Sequence, residues 1–143
     1  MNEMIVTGNL PALSDEDLEV MNDVMAEVKK LPPVDISVEQ FFHAGIYVRT
    51  CFIPAGCVIV GALIKIPTVV QVSGHCKVSI GSKTAVIDGV VTLKADAGRR
   101  QAFLALEPTY VTMSFATKAK TFAEAEKEFT DEYELLTTTK GVN

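Results

Sequence analysis

The chain has 143 residues, 48% of them hydrophobic and 22% charged, with a formal net charge of -5. That length and balance suit one domain with its own core, and they exclude a disordered or fibrous chain. The acidic balance argues against a nucleic-acid partner, because phosphate contacts need clustered Lys and Arg, and here the adjacent basic pairs are Lys29-Lys30 and Arg99-Arg100.

The first ten residues, MNEMIVTGNL, carry Glu3 and no basic leader region, so no secretory signal is expected. Gly8, Asn9 and Pro11 predict an irregular arm before Ser14. A helix is expected next. Ser14 suits the N-cap, acids fill the first turn, and Leu18, Met21, Val24, Met25 and Val28 fall on one face. Lys29 and Lys30 suit its C-terminal end, and Pro32-Pro33 stop it.

From Val34 to Thr117 the pattern changes to strands. β-rich runs are punctuated by Pro54-Ala55-Gly56, Ser73-Gly74, Gly81-Ser82, Asp88-Gly89, Ala97-Gly98 and Glu107-Pro108. Short strands at such spacing, with no long helical pattern between them, predict an all-β sandwich or barrel. The longest apolar run, near Cys57 to Leu63, is too short to span a bilayer. Cys51, Cys57 and Cys76 lack CxxC spacing and suit reduced thiols, giving a cytoplasmic expectation. After residue 117 a second helix is predicted, with Thr121 and Glu124 as its capping box. Phe122, Phe129, Tyr133 and Leu136 recur along it, a face to pack on the barrel or a partner, and the Thr137-Thr138-Thr139 tail is expected to fray. The expected units are thus an arm and helix (1–33), a β-barrel (34–117), and a helix and tail (118–143).

The strand block from FHAGIYVRTCFIPAGCVIVGALIK through VQVSGHCKVSI to VTLKADAGRRQAFLALEPTYVTMSFAT resembles the small cupin-domain proteins of bacteria and phages, over roughly residues 41–136. The resemblance implies an all-β, cupin-like jelly-roll barrel flanked by an N-terminal and a C-terminal α-helix. In that family two histidines and a glutamate after the PAG turn, and a later histidine, hold a metal, because a divalent ion needs N and O donors converging from neighbouring strands. By alignment the first histidine position falls on Ile64, the second on Thr68 or Val69, the glutamate near Pro67 and the last histidine on Phe115. The ligands are replaced, so neither a metal nor another cofactor is expected. His43 precedes the first barrel strand, and an incidental surface position is the default for His75.

Other chemistry finds little support. The serines lack a G-x-S-x-G frame, GHCKVSIGSK lacks the spacing of a P-loop, and only Cys76, between His75 and Lys77, has a positive neighbourhood. The polar residues available to a barrel pocket are Lys65, Gln71, Arg99, Arg100 and Gln101. Lys65, Gln71, Arg99 and Arg100 are the ligand-binding candidates, Gln71 on condition that Val69 faces inward, and the arginine pair as a rim for a small anionic ligand. A solvated turn is the more ordinary reading of that pair.

The function expected is metal-free binding or assembly, as a homo-oligomer or with virion or host proteins if phage-encoded, with Ile64, Val69 and Phe115, helped by Val58 or Val60, filling the barrel. The alternative is a cupin-type isomerase or lyase using side chains of the pocket. Protein purified without chelator is expected to show no stoichiometric transition metal by elemental analysis. A bound metal that is lost on substituting His75 would overturn the alignment.

Overall fold

A computed structural model describes residues 8–136 and the backbone of residues 3–5, so the Thr137-Thr138-Thr139 tail lies outside the described residues. In chain order these form β1 (Glu3–Ile5), β2 (Asn9–Leu10), α1 (Asp15–Val28), β3 (Ser37–His43), β4 (Ile46–Ile53), β5 (Val58–Val60), β6 (Thr68–Ile80), β7 (Lys83–Ala95), β8 (Ala102–Ala105), β9 (Thr109–Ala116) and α2 (Phe122–Phe129). The hydrogen-bonded path runs β1-β7-β6-β9-β4-β3, with β2 also on β7, and β8 joining β5 to β6. Its ends, β1 and β3, are not paired with each other, so the path does not close.

The arm is not irregular. β1 and β2 lie parallel to β7, pairing Glu3 with Thr84 and Leu10 with Ala95. The side of β7 away from β6 offers unpaired backbone groups, and Leu10 enters the core beside it, which outweighs the local preference of Gly8 and Pro11.

β6 and β7 form one long hairpin, from Ile80 opposite Lys83 to Thr68 opposite Ala95. Ser73-Gly74 and Asp88-Gly89, which the sequence marks as turns, are bends inside these strands, where Gly74 and Gly89 face each other. The bend lets one half of β6 pair with β9 and the other with β8. Gly74 has φ +150°, and a Cβ there would lie 2.7 Å from the Pro108 carbonyl oxygen, so glycine is required by space as well as conformation. Val70, Val72, Cys76, Val78, Ile87 and Leu93 face inward from the hairpin and, with Ile53 and Ala105, make the main core.

Both helix starts follow the sequence. Ser14 Oγ accepts the Asp17 amide at 3.1 Å, and Thr121 Oγ1 accepts the Glu124 amide at 3.2 Å. Met21 is the fully buried residue of α1. α2 is shorter than its pattern predicts: it stops at Phe129, and Tyr133 to Leu136 form a separate 3-10 turn. Tertiary bonds outcompete another helical turn. The Phe129 carbonyl accepts the Lys65 amide at 2.9 Å, the Thr130 hydroxyl donates to the Leu63 carbonyl at 2.7 Å, and Glu132 Oε1 accepts the Leu63 amide at 2.9 Å. The helix turns its apolar face onto its own sheet. Phe129, 1% exposed, packs with Tyr47 and Phe115, and Phe122 stacks on Phe42. No described helix is long and apolar enough to cross a membrane.

Phe129→Ala is expected to cost about 3–5 kcal/mol in chemical denaturation, because it empties the centre of the aromatic cluster; an unchanged midpoint would show that the face is not buried. Gly74→Ala is expected to cost about 1–3 kcal/mol or more by forcing β6 off Pro108, and a variant as stable as the parent would contradict the close approach.

Candidate functional site

Alternation along β4 points Tyr47, Arg49, Cys51 and Ile53 inward, and β6 turns Thr68, Val70 and Val72 the same way. Between β5 and β6 the chain from Gly61 to Ile64 runs antiparallel to residues 98–101: the Gly61 amide donates to the Gln101 carbonyl at 3.0 Å, and the Ile64 amide to the Arg99 carbonyl at 2.9 Å. These elements enclose a cavity of about 400 Å³. Its walls are apolar, with Val38, Ile59, Val70, Phe103, Val111 and Met113 among them, and it is bordered by Met25 and Val28 of α1 and by Leu135 and Leu136. Its polar lining is Arg49, Arg99, Gln101, Cys51 and Lys29. The interior is therefore open, contrary to the filled barrel expected from the sequence.

The two buried arginines of the cavity differ. Arg49 has an acidic partner: its Nη1 lies 3.5 Å from Glu126 Oε2, donates to the Tyr47 hydroxyl at 3.3 Å, and the guanidinium sits over the Phe129 ring. Burial raises the Tyr47 hydroxyl and Cys51 thiol pKa values, with Arg49 opposing. Both groups stay neutral near pH 7. Arg99 is 2% exposed. It donates from Nη1 to the Asp96 carbonyl and from Nη2 to Thr68 Oγ1, each at 2.6 Å, and its Nε has no partner. Among the described residues no carboxylate lies within ion-pair distance of it. Burial lowers its pKa to about 10, with the charge of Asp96 acting the other way. Gln101, 6% exposed, also leaves its Nε2 without a partner.

The candidate residues separate on this geometry. Arg99 and Arg100 are not a solvated pair: both are buried, and of the two only Arg99 lines this cavity. Arg100 points the other way, donating to Glu132 Oε2 at 2.6 Å and the Gly61 carbonyl at 3.1 Å in a groove against α1. Burial tends to raise the Glu132 carboxyl pKa, but the bonds from Arg100 and the Leu63 amide hold it below the usual value. Lys65 is exposed and paired with Asp131 at 2.6 Å, outside the cavity. Val69 is 49% exposed and Gln71 is exposed as well, so the inward phase of β6 belongs to Thr68. Ile64 lines the cavity, whereas Phe115 lies in the aromatic cluster beside it. Val60 borders the open space and does not close it.

Sequence reasoning passed over Arg49 and Glu126. The available signal was the phase of β4, since Arg49 shares its face with Tyr47 and Ile53. No sequence periodicity marks a helical Glu126 as its partner.

The residues present do not fit a metal. Ile64 and Phe115 carry no donor, Thr68 Oγ1 is engaged by Arg99, and among the described residues no three of His, Cys, Asp and Glu converge. His75 is half-buried with its Nδ1 3.0 Å from Glu107 Oε2, and Cys76 behind it has its thiol pushed up to about 11 by burial.

No protein-family model and no curated protein matches the sequence. Among solved structures, the salicylate 1,2-dioxygenase of Pseudaminobacter salicylatoxidans is similar with a TM-score of 0.51 at 12% identity, over 86% of this chain and 40% of that one. The ectoine synthase of P. lautus matches at 0.48 and 16% identity, over 68% of this chain and 75% of that one. The cupin domain of an XRE-family transcriptional regulator from Enterobacter cloacae matches at 0.47 and 9% identity, over 60% of this chain and all of that domain. At these identities the likeness concerns fold alone. The chain has the cupin jelly-roll fold.

Proposed function

We propose that the chain is a binding protein for a small, mainly apolar organic anion, held in the barrel cavity with its carboxylate against Arg99 and Gln101. The observation that carries this reading is a buried guanidinium with no acidic partner among the described residues and a free Nε, beside an amide with a free Nε2, both bordering an apolar space. A buried, unpaired cation is costly, and a ligand carboxylate offsets that cost while accepting the free N–H groups. The apolar walls suit the rest of such a ligand.

Acid–base catalysis has less support, since among the described residues the cavity lining contains no Asp, Glu or His to exchange a proton with a ligand. The assembly role expected from the sequence rested on the missing metal ligands, the apolar face of the second helix and a filled interior, and the open cavity removes the last of these supports.

Benzoate and octanoate, titrated against the neutral benzamide and octanamide, test the reading. The carboxylates are expected to raise the thermal midpoint and the amides are not; a ligand at 100 times its Kd adds about 2.7 kcal/mol. Arg99→Leu is expected to abolish the difference between acid and amide while leaving the unliganded protein folded. Equal responses to acids and amides, or an intact difference in Arg99→Leu, would refute it. Binding needs the protonated guanidinium, whose pKa is lowered to about 10, so affinity is expected to hold between about pH 6 and 8 and to fall as pH rises through about 10.

A further inference from the structure

The outer face of the sheet formed by β3, β4, β9, β6 and β7 is continuous in register and almost free of charge. Its central row runs Glu39, Thr50, Thr112, Gln71, Thr92 across these strands. One neighbouring row carries Phe41, Val48, Ser114 and Val69 and ends at Lys94. The row on the other side carries Ser37, Phe52, Tyr110, Ser73 and Val90. Within these rows the only charges are Glu39 on β3 and Lys94 on β7, at opposite sides of the face.

The polar groups between them are largely occupied with each other. Thr50 and Thr112 hydroxyls lie 2.9 Å apart, and Gln71 Nε2 donates to Thr92 Oγ1 at 3.4 Å. The Phe52 and Tyr110 rings pack together with centroids 5.0 Å apart. Such a face loses little when water leaves it. Phe41, Val69, Val90 and Tyr110 remain exposed on it, so there is apolar surface to gain from burial.

We infer that this face is the interface of a symmetric dimer with a second copy of the chain. The charge placement selects both the occupant and the geometry. A two-fold axis lying in the interface along β9 sets each copy's β3 over the other's β7, bringing Glu39 of each copy towards Lys94 of the other, one row away. An axis across the strands instead sets Glu39 over Glu39, which repels. Sheets stacked about 10 Å apart, with strands aligned to within about 30°, leave these long side chains within reach of each other. Five strands by six residues give a footprint on the order of 500 Å² per copy, so a pair reaches roughly the 1,000 Å² needed for a specific interface. α2 does not compete for this role, since its apolar face is spent on its own barrel.

Sedimentation and light scattering of the full chain from about 1 to 100 µM, the range that populates a micromolar complex, test this inference. The parent protein is expected to be a dimer at the upper end. Tyr110→Glu and, separately, Ser114→Lys are expected to give monomers with an unchanged thermal midpoint at low concentration. Glu39→Lys is expected to weaken association several-fold, and Glu39→Lys with Lys94→Glu to restore it. A parent that stays monomeric throughout, whether or not it captures another protein, would overturn the inference. So would a dimer indifferent to folded Tyr110→Glu and Ser114→Lys variants, and a double charge reversal that fails to recover association would overturn the axis.

Discussion

The backbone of Arg99 is pinned to Ile64: its carbonyl accepts the Ile64 amide at 2.9 Å, and the Ile64 carbonyl takes the Gly98 amide at 2.7 Å and the Arg99 amide at 3.3 Å. Because neighbouring side chains on an extended strand leave on opposite sides, that one bridge sends Arg99 into the cavity and Arg100 out against α1 and Glu132. The inner arginine gives the cavity a charge unpaired among the described residues, and the outer one ties the segment after α2 to the chain at Gly61. A slip of one residue in this bridge would exchange the two, turning Arg100 inward and away from Glu132.

The residues at the positions expected to hold a metal make a different arrangement of charge. A jelly roll that holds a divalent ion concentrates positive charge inside a low-dielectric barrel, and the ligands bring compensating negative charge. Here Thr68, one of the two positions aligned with the second histidine, instead accepts a hydrogen bond from Arg99. The pocket thus keeps a cation, carried on a side chain and oriented by neutral acceptors. Neutral acceptors fix direction without cancelling charge, whereas Arg49, beside Glu126, is substantially compensated.

Much of the fold was legible because it is written locally. Ser14 and Thr121 mark helix starts through their own side chains, and Pro54-Ala55-Gly56, Gly81-Ser82 and Glu107-Pro108 mark chain reversals through backbone preference. The misreadings were of a different kind. Gly74 serves a bend as readily as a turn, and only the approach of Pro108 distinguishes the two. The length of α2 was set by hydrogen bonds to Leu63 and Lys65, far away in sequence. The phase of β6 was ambiguous because Val69 and Val70 are equally apolar, so Gln71 and Thr68 exchanged faces with respect to expectation. The open cavity is the least legible feature, since a volume left unfilled by distant side chains has no signature in any one segment.

The long β6–β7 hairpin also bears on the order in which the chain assembles. Its strands meet across the short turn at Gly81-Ser82, and each further pair, from Ile80–Lys83 to Thr68–Ala95, adds to one already formed. Loop-closure entropy therefore rises in small steps along the hairpin, while β9, β8 and the N-terminal strands must each be brought in across a longer stretch of chain. A bent ribbon that already displays its inner face gives those later strands a template. The same glycine bend thus lets one local structure offer an edge to β9 on one half of β6 and to β8 on the other.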